Sequence, residues 1–286
     1  MKDLKKRTIT AFFLVITLLP LAFFGSIPLY IVFGIFSCVA AWELERIFKE
    51  NEKWKFHNIL LIIVNGLVYT GLFLCLLFKV YLGVLLVLVG AVIVITIVKL
   101  IKPELKFKNL VLSTIYPSLG FAPFSYLRSV ETGLYRDGLF IVVYLFLVCM
   151  LTDTAAYFIG SKFGKHKLAP TISPKKSIEG SIAGTIAALI FPTLFVFLSG
   201  LNKFLFSSNY QLWLQIILCA ILSTSLSIID EAGDLFASSI KRRYGVKDYS
   251  EIFPGHGGIL DRFDSYLFVS FALTIYVTLI SLWEIL

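Results

Sequence analysis

The chain has 286 residues, of which 58% are hydrophobic and only 15% charged. A soluble domain averages roughly 45–50% apolar and about 25% charged, so a water-soluble fold of this length is excluded. The formal net charge of +8 could suggest a nucleic-acid partner, but the basic residues are parcelled out between long apolar runs, which argues for no nucleic acid.

A bilayer's hydrocarbon core is about 30 Å thick, which a helix crosses in about 20 residues. Open sheet edges are excluded there, because each unpaired backbone group costs several kcal/mol. Nine apolar segments have the required length: about 8–25, 27–47, 58–78, 80–100, 109–129, 138–160, 178–200, 210–233 and 264–284. The expected fold is an all-α integral membrane protein, a polytopic bundle of about nine transmembrane helices. The segment 1–137 then holds the N-terminal transmembrane helices, a scaffold with a role in dimerisation. The segment 138–286 holds the C-terminal catalytic region, with loops at 161–177 and 234–263.

Successive loops alternate between the two membrane faces. The N-terminus and the loops near 48–57, 101–108, 161–177 and 234–263 share one face and carry 22 of the 26 basic residues, as 4, 4, 4, 5 and 5. The other face holds Lys79, Arg128, Arg136 and Lys203. Positive loops stay cytoplasmic during insertion. The N-terminus is therefore expected in the cytoplasm and the C-terminus outside, with some added attraction for anionic lipid headgroups. Lys5-Lys6-Arg7 ahead of an apolar run could mimic a cleaved leader, but the run is long and no A-x-A site follows. Cys38, Cys75, Cys149 and Cys219 each lie inside an apolar run and read as packing residues.

Acidic residues near membrane depth are costly and need a reason. The candidates are Asp153, Asp230, Glu231, Asp234, Asp261 and Asp264. Asp153 stands in Thr152-Asp-Thr-Ala-Ala-Tyr157, near the same helix face as Tyr157. Next comes Ala169-Pro-Thr-Ile-Ser-Pro-Lys-Lys-Ser-Ile-Glu-Gly180. There Ser173, Lys175, Lys176 and Ser177 are donors beside a helix N-terminus, which attracts phosphate; Glu179 suits the helix dipole.

Asp230 and Asp234 are four apart on the helix ending the eighth span, and Asp261 and Asp264 three apart at the start of the ninth. Should those ends adjoin, the carboxylates would repel unless a cation intervened. Mg²⁺ suits the position, since it takes one or two carboxylates plus substrate phosphates. Separate ion pairs with Lys241, Arg242 and Arg262 would also serve. Downstream of Lys241, Arg242, Arg243 and Lys247 runs Phe253-Pro-Gly-His-Gly-Gly-Ile-Leu-Asp-Arg-Phe-Asp264. Gly255, Gly257 and Gly258 permit positive φ and close approach to a ligand, and their N–H groups ahead of a helix start make an anion site. His256 could donate to a phosphate, orient an acidic group, or simply belong to the turn. Together these describe a Mg²⁺-phosphate pocket; a plain Gly/Pro turn with a solvated basic loop is the alternative.

The blocks Ser238-Ser-Ile-Lys-Arg242, Lys247-Asp248 and Pro254-Gly-His-Gly-Gly-Ile-Leu-Asp-Arg-Phe-Asp264 resemble the signature of the phosphatidate cytidylyltransferases, the CDP-diacylglycerol synthases. Gly233-Asp234-Leu235 is similar to that family's G-D-L. The stretch 153–180 is similar to its D-x-x-A-Y and I-S-P-K-K-S-x-E-G blocks. The resemblance covers about 150–284; Asp230-Glu231 is more acidic than its pattern.

The resemblance implies transfer of CMP from CTP to phosphatidate, giving CDP-diacylglycerol and pyrophosphate. It implies Asp234 and Asp261 as metal ligands with Asp264 in support, dependence on Mg²⁺ with a monovalent cation such as K⁺, and a homodimer. The charge bias and the acids between 230 and 264 on the basic face lead to the expectation of an inner-membrane enzyme with its active site facing the cytoplasm. Lys241, Arg242 and His256 join the three aspartates as catalytic candidates. Substrate or phosphate binding is expected of Asp153, Ser173, Lys175, Lys176, Ser177, Lys247, Gly255, Gly257, Gly258 and Arg262. Two other readings remain. A CTP-dependent lipid or polyprenol kinase would release CDP instead of pyrophosphate. An ion-coupled transporter would place its site near the midplane, often between inverted repeats, and no repeat is evident.

Overall fold

The structure is a computed structural model that describes residues 23–48, 56–130, 137–206, 210–253 and 257–283. Its helices are α1 (Ser26–Phe48), α2 (Phe56–Leu77), α3 (Tyr81–Ile101), α4 (Phe107–Thr114), α5 (Tyr116–Ser129) and α6 (Asp137–Phe163). A short ribbon of β1 (Lys167–Ala169) and β2 (Ser173–Ser177) follows, then α7 (Ile178–Ser199), the single turn α8 (Asn202–Leu205), α9 (Leu212–Arg243) and α10 (Leu260–Trp283).

Eight stretches among the described residues are long and apolar enough to cross a membrane, with α4 and α5 counted as one. They coincide with eight of the nine expected spans and make this a multi-pass, all-α membrane protein. The remaining expected span, 8–25, lies almost wholly outside the described residues, as do Gly255 and His256.

Three local features differ from the sequence reading. The span expected at 109–129 is broken at Ile115, between α4 and α5. Pro117 has no N–H to give to the carbonyl four residues back, so the helix cannot run straight through. The chain repairs the break with side chains: Asn65 Nδ2 (2.8 Å) and Ser118 Oγ (3.2 Å) both donate to the Thr114 carbonyl. That is how a broken helix survives away from water.

The loop expected to begin at 234 begins at 244, because α9 runs on to Arg243. Leu235, Ala237 and Ile240 continue a helix-compatible pattern, and the first breaker is Gly245, at φ +70°. The segment 161–177, expected as a plain loop, carries the antiparallel β1–β2 ribbon, with Lys167 opposite Ser177 and an irregularity before Ala169 opposite Ser173. Pro174 fits there because a two-stranded ribbon is all edge.

The described residues form two compact units. One comprises the helices up to Ser129 together with Arg243–Phe263; the other comprises Val130–Arg242 together with the chain from Asp264 onward. The signature segment after α9 therefore packs with the N-terminal helices.

In the first unit, Phe33, Phe36, Phe121, Phe124 and Phe263 form an aromatic cluster, with Phe33 and Phe124 rings 4.6 Å apart and Phe121 and Phe263 5.5 Å apart. Ser37 Oγ donates to Asn65 Oδ1 (2.9 Å), and the Tyr69 hydroxyl donates to the Tyr30 carbonyl (2.6 Å). Such bonds hold helices together where lipid gives apolar contact no advantage. In the second unit, α6 and α7 pack closely through glycine. A Cβ on Gly184 would lie 2.6 Å from the Thr152 carbonyl oxygen, and one on Gly180 2.7 Å from that of Ala156.

Candidate active site

The second unit contains a cavity of about 550 Å³ where α6 meets α7 and the ribbon. Asp153 and Tyr157, paired on one helix face by their spacing, both line it. Gly160, Gly164 and Gly180 line it with bare backbone, and Lys175, Lys176 and Ser177 reach it from β2. Ser177 also caps α7, its hydroxyl oxygen accepting from the Gly180 N–H at 3.2 Å. Glu179 does more than complement the helix dipole: it accepts from the Lys165 (3.1 Å) and His166 (3.2 Å) backbone N–H groups, with the His166 ring nitrogen 2.7 Å away. That fixes the chain where it leaves α6.

The charges of this region are brought together across long sequence separations. Lys176 Nζ lies 2.6 Å from Asp234 Oδ2, and Ser238 Oγ donates to Asp234 Oδ1 at 3.3 Å. Burial alone would draw the Lys176 ammonium down; Asp234 foremost, then Asp153 and Glu231, outweighs that and holds it above the ordinary lysine value. Arg242 Nε donates to the Ile172 carbonyl at 3.3 Å, tying the end of α9 to the turn of the ribbon. Lys175 is exposed and Ser173 half-buried. Lys241 is buried, and its charge acts on Asp264 together with that of Asp234.

Two carboxylates are left short of partners. Asp230 is fully buried, and neither of its oxygens accepts a hydrogen bond of good geometry from a described residue; Cys149 and Ser265 are its polar neighbours. Glu231 accepts from the Ser181 hydroxyl on one oxygen, and the other has no partner among the described residues.

In the glycine turn of the first unit, the N–H groups of Gly258, Ile259 and Leu260 face carboxylates of the chain itself. Asp261 Oδ2 accepts from the Gly258 (2.9 Å) and Tyr249 (2.7 Å) N–H groups. Glu43 of α1 accepts from Ile259 N–H (2.9 Å) and Ser250 Oγ (2.6 Å) on one oxygen, and from Leu260 N–H (2.8 Å) on the other. The glycines are needed to admit these groups. A Cβ on Gly257, which sits at φ +80°, would stand 2.6 Å from Asp261 Oδ2, and one on Gly258 would overlap Glu43. Lys247, Asp248 and Arg262 are exposed. Glu43 carries no local motif, and only its position as an acid within an apolar span could have flagged it.

Among the described residues no three His, Cys, Asp or Glu side chains form a ready-made metal cage. Mg²⁺ does not need one, since phosphates and water complete its coordination. Asp234 fits such a role by its chemistry: a hard oxygen donor whose Oδ2 faces the Lys176 ammonium on a flexible side chain. Asp261 belongs to the other unit, where its Oδ2 is held by two backbone N–H groups.

Residues 5–280 match the model of the Cytidylyltransferase family, which places this membrane protein among the nucleotidyltransferases. The chain belongs to the cytidylyltransferase family. It is 33% identical to a phosphatidate cytidylyltransferase of Staphylococcus aureus over 276 residues, covering 93% of this chain and 96% of the relative. The corresponding protein of Bacillus subtilis is 32% identical over 283 residues, covering 94% and 96%. That of Staphylococcus haemolyticus is 44% identical over 158 residues, 55% of this chain and 54% of the relative.

Proposed function

We propose that this protein transfers CMP from CTP to phosphatidate, giving CDP-diacylglycerol and pyrophosphate for phospholipid synthesis. The Lys176–Asp234 pair is the observation that carries the reading. It joins the Ile172–Gly180 block to the Gly233-Asp234-Leu235 block, two stretches with little reason to meet in a scaffold. The relatives that cover nearly the whole chain bear the same activity in their names.

In the reaction a phosphate oxygen of phosphatidate attacks the α-phosphorus of CTP. A new phosphoanhydride bond forms, the bond to the β-phosphate oxygen breaks, and pyrophosphate leaves with that oxygen. No general base is required, because a phosphate monoester is largely ionised near neutral pH. The protein's task is to align two anions and offset their repulsion. Lys175 and Lys176 on β2 and Lys241 and Arg242 at the end of α9 supply the positive charge. Lys176, paired with Asp234, can turn to an incoming phosphate, and the carboxylate it leaves behind is then free to take a cation. Asp234 is the proposed holder of Mg²⁺, which when bound stabilises charge on the triphosphate and its leaving group. The site faces the cytoplasm, where CTP is available, and the enzyme assembles as a homodimer; accessibility labelling of Lys175 in sealed vesicles and crosslinking in membranes check these two points.

The decisive test uses purified protein, phosphatidate, Mg²⁺ and CTP labelled at the α-phosphorus. Label is expected in lipid with one pyrophosphate released per turnover. Release of CDP with unlabelled lipid would instead identify a lipid kinase, and no lipid product with or without K⁺ would end the proposal.

A further inference from the structure

The first turn of α10 carries Asp261 and Arg262 and begins without a local cap. The residue before it is Ile259, which has no acceptor side chain; the Arg262 N–H turns back to the Ile259 carbonyl (3.0 Å), but the Leu260 N–H has to find its acceptor elsewhere. Elsewhere the chain uses a local cap, as Ser177 does for α7. Here the acceptor comes from Glu43, on a helix 216 and 217 residues away from its two backbone donors. The glutamate is fully buried and placed inside an apolar span, an expensive position for a charge. Three charge-assisted hydrogen bonds and the positive end of the helix offset that cost.

The contact is exacting on both sides. Glu43 Oε1 is shared between the Ile259 N–H and the Ser250 hydroxyl, so it fixes the chain both before and after the glycine turn. Gly258 leaves no room for a side chain, because a Cβ would overlap Glu43 and lie 2.6 Å from Ser250 Oγ. Asp261 closes the turn from within by accepting from Tyr249 and Gly258. Phe263 pins the next residues into the aromatic cluster with Phe33 and Phe121. A capped helix could be had with one local serine; a lock from a remote span fixes the direction in which Asp261 and Arg262 are presented.

We propose that Glu43 is a positioning residue for cytidylyl transfer, a buried carboxylate that locks the Gly257–Leu260 turn and thereby sets the first turn of α10. This rests on the function proposed above. Glu43 is fully buried and both its oxygens accept from the chain itself, so its loss should fall on turnover more than on substrate affinity.

The test compares wild type with Glu43→Gln, Glu43→Asp, Ser250→Ala and Gly258→Ala in purified full-length protein. Glu43→Gln keeps the volume but turns one acceptor into a donor that meets an N–H or hydroxyl. It should lower kcat by about tenfold or more while KM for CTP and for phosphatidate each stay within about threefold. Glu43→Asp keeps both acceptors and should recover part of that loss, and Gly258→Ala should resemble Glu43→Gln. Amide hydrogen exchange over 257–263, measured without substrate, should quicken in Glu43→Gln. A folded Glu43→Gln with wild-type kcat overturns the proposal, and so does an equal rise in both KM values at unchanged kcat. Should Glu43→Gln not fold, Glu43→Asp and Ser250→Ala decide the matter: unchanged kcat and unchanged exchange in both overturn it. A wild-type protein that makes no CDP-diacylglycerol would refute the proposed function instead, and the exchange measurement would still report on the lock.

Discussion

Two regions of the molecule hold carboxylates in apolar surroundings and treat them in opposite ways. At the start of α10, Glu43 and Asp261 accept from four backbone N–H groups and one hydroxyl, all within the first unit. In the second unit, Asp230 accepts no hydrogen bond of good geometry from a described residue, Glu231 has one oxygen without a partner among the described residues, and Asp234 is met by Lys176. Buried polar groups are normally satisfied. The first region is therefore complete on folding, whereas the second keeps carboxyl oxygens to which no described residue donates, an arrangement that suits a ligand. Structure is invested where geometry must be fixed, and electrostatic deficit is left where phosphates and cations are to be received.

Exchanging an aspartate in each region separates these roles, with the largest effect expected. Asp234→Asn removes the anion that balances Lys176 and the proposed metal donor. Turnover should fall by about 10²–10³-fold, while the melting temperature stays within about 2 °C of wild type, because a partly exposed pair contributes little to stability. Asp261→Asn should also abolish turnover, but with a lowered melting temperature, since an amide cannot serve both N–H groups as well as a carboxylate does. Steady-state assays beside thermal unfolding check both. Equal melting temperatures for the two variants would erase the distinction between a locked region and a receptive one.

The spans are legible because lipid leaves so few solutions: eight of the nine apolar runs coincide, among the described residues, with helical stretches long and apolar enough to cross a membrane. The Asp153–Tyr157 pairing was legible through helical periodicity, and both residues do line one cavity. The break at Ile115 was only half legible. Pro117 marks it, but its repair depends on Asn65 from another helix. The α9 extension was missed because charged residues after 233 look like a loop, although nothing in 234–243 breaks a helix. The glycines of 257–258 were read as a cradle for phosphate. In the structure they make room for carboxylates, one of them from α1, and no local pattern reports a contact spanning more than 200 residues.

A smaller effect, of the opposite sign in stability, is expected at Asp230. Replacing a buried carboxyl that accepts no well-formed hydrogen bond from a described residue with a neutral group of the same shape removes a desolvation cost that folding has to meet. Asp230→Asn should raise the unfolding free energy by about 1 kcal/mol and lower activity several-fold, the trade expected of a group retained for function. Thermal unfolding in detergent or lipid nanodiscs, paired with the labelled-CTP assay, reads both quantities. A variant that gains stability and keeps full activity would show that Asp230 serves nothing in the reaction.

The smallest effect concerns the Lys176–Asp234 pair as a contributor to stability. The neighbouring carboxylates hold the folded pKa of Lys176 above the ordinary lysine value in spite of burial. The sign follows directly. A raised folded pKa stabilises the protein in full below the unfolded value, about 10.4, and the contribution disappears as pH rises through the folded value. The stability difference between wild type and Lys176→Met should therefore be flat from about pH 6 to pH 9 and should shrink only above about pH 10.4. Its size should be no more than about 1 kcal/mol, because the two side chains are 22% and 28% exposed and solvent screens them. A difference that already changes near neutral pH would mean that another titrating group governs the pair, and Lys176 would then not be the balanced, releasable cation that the receptive region requires.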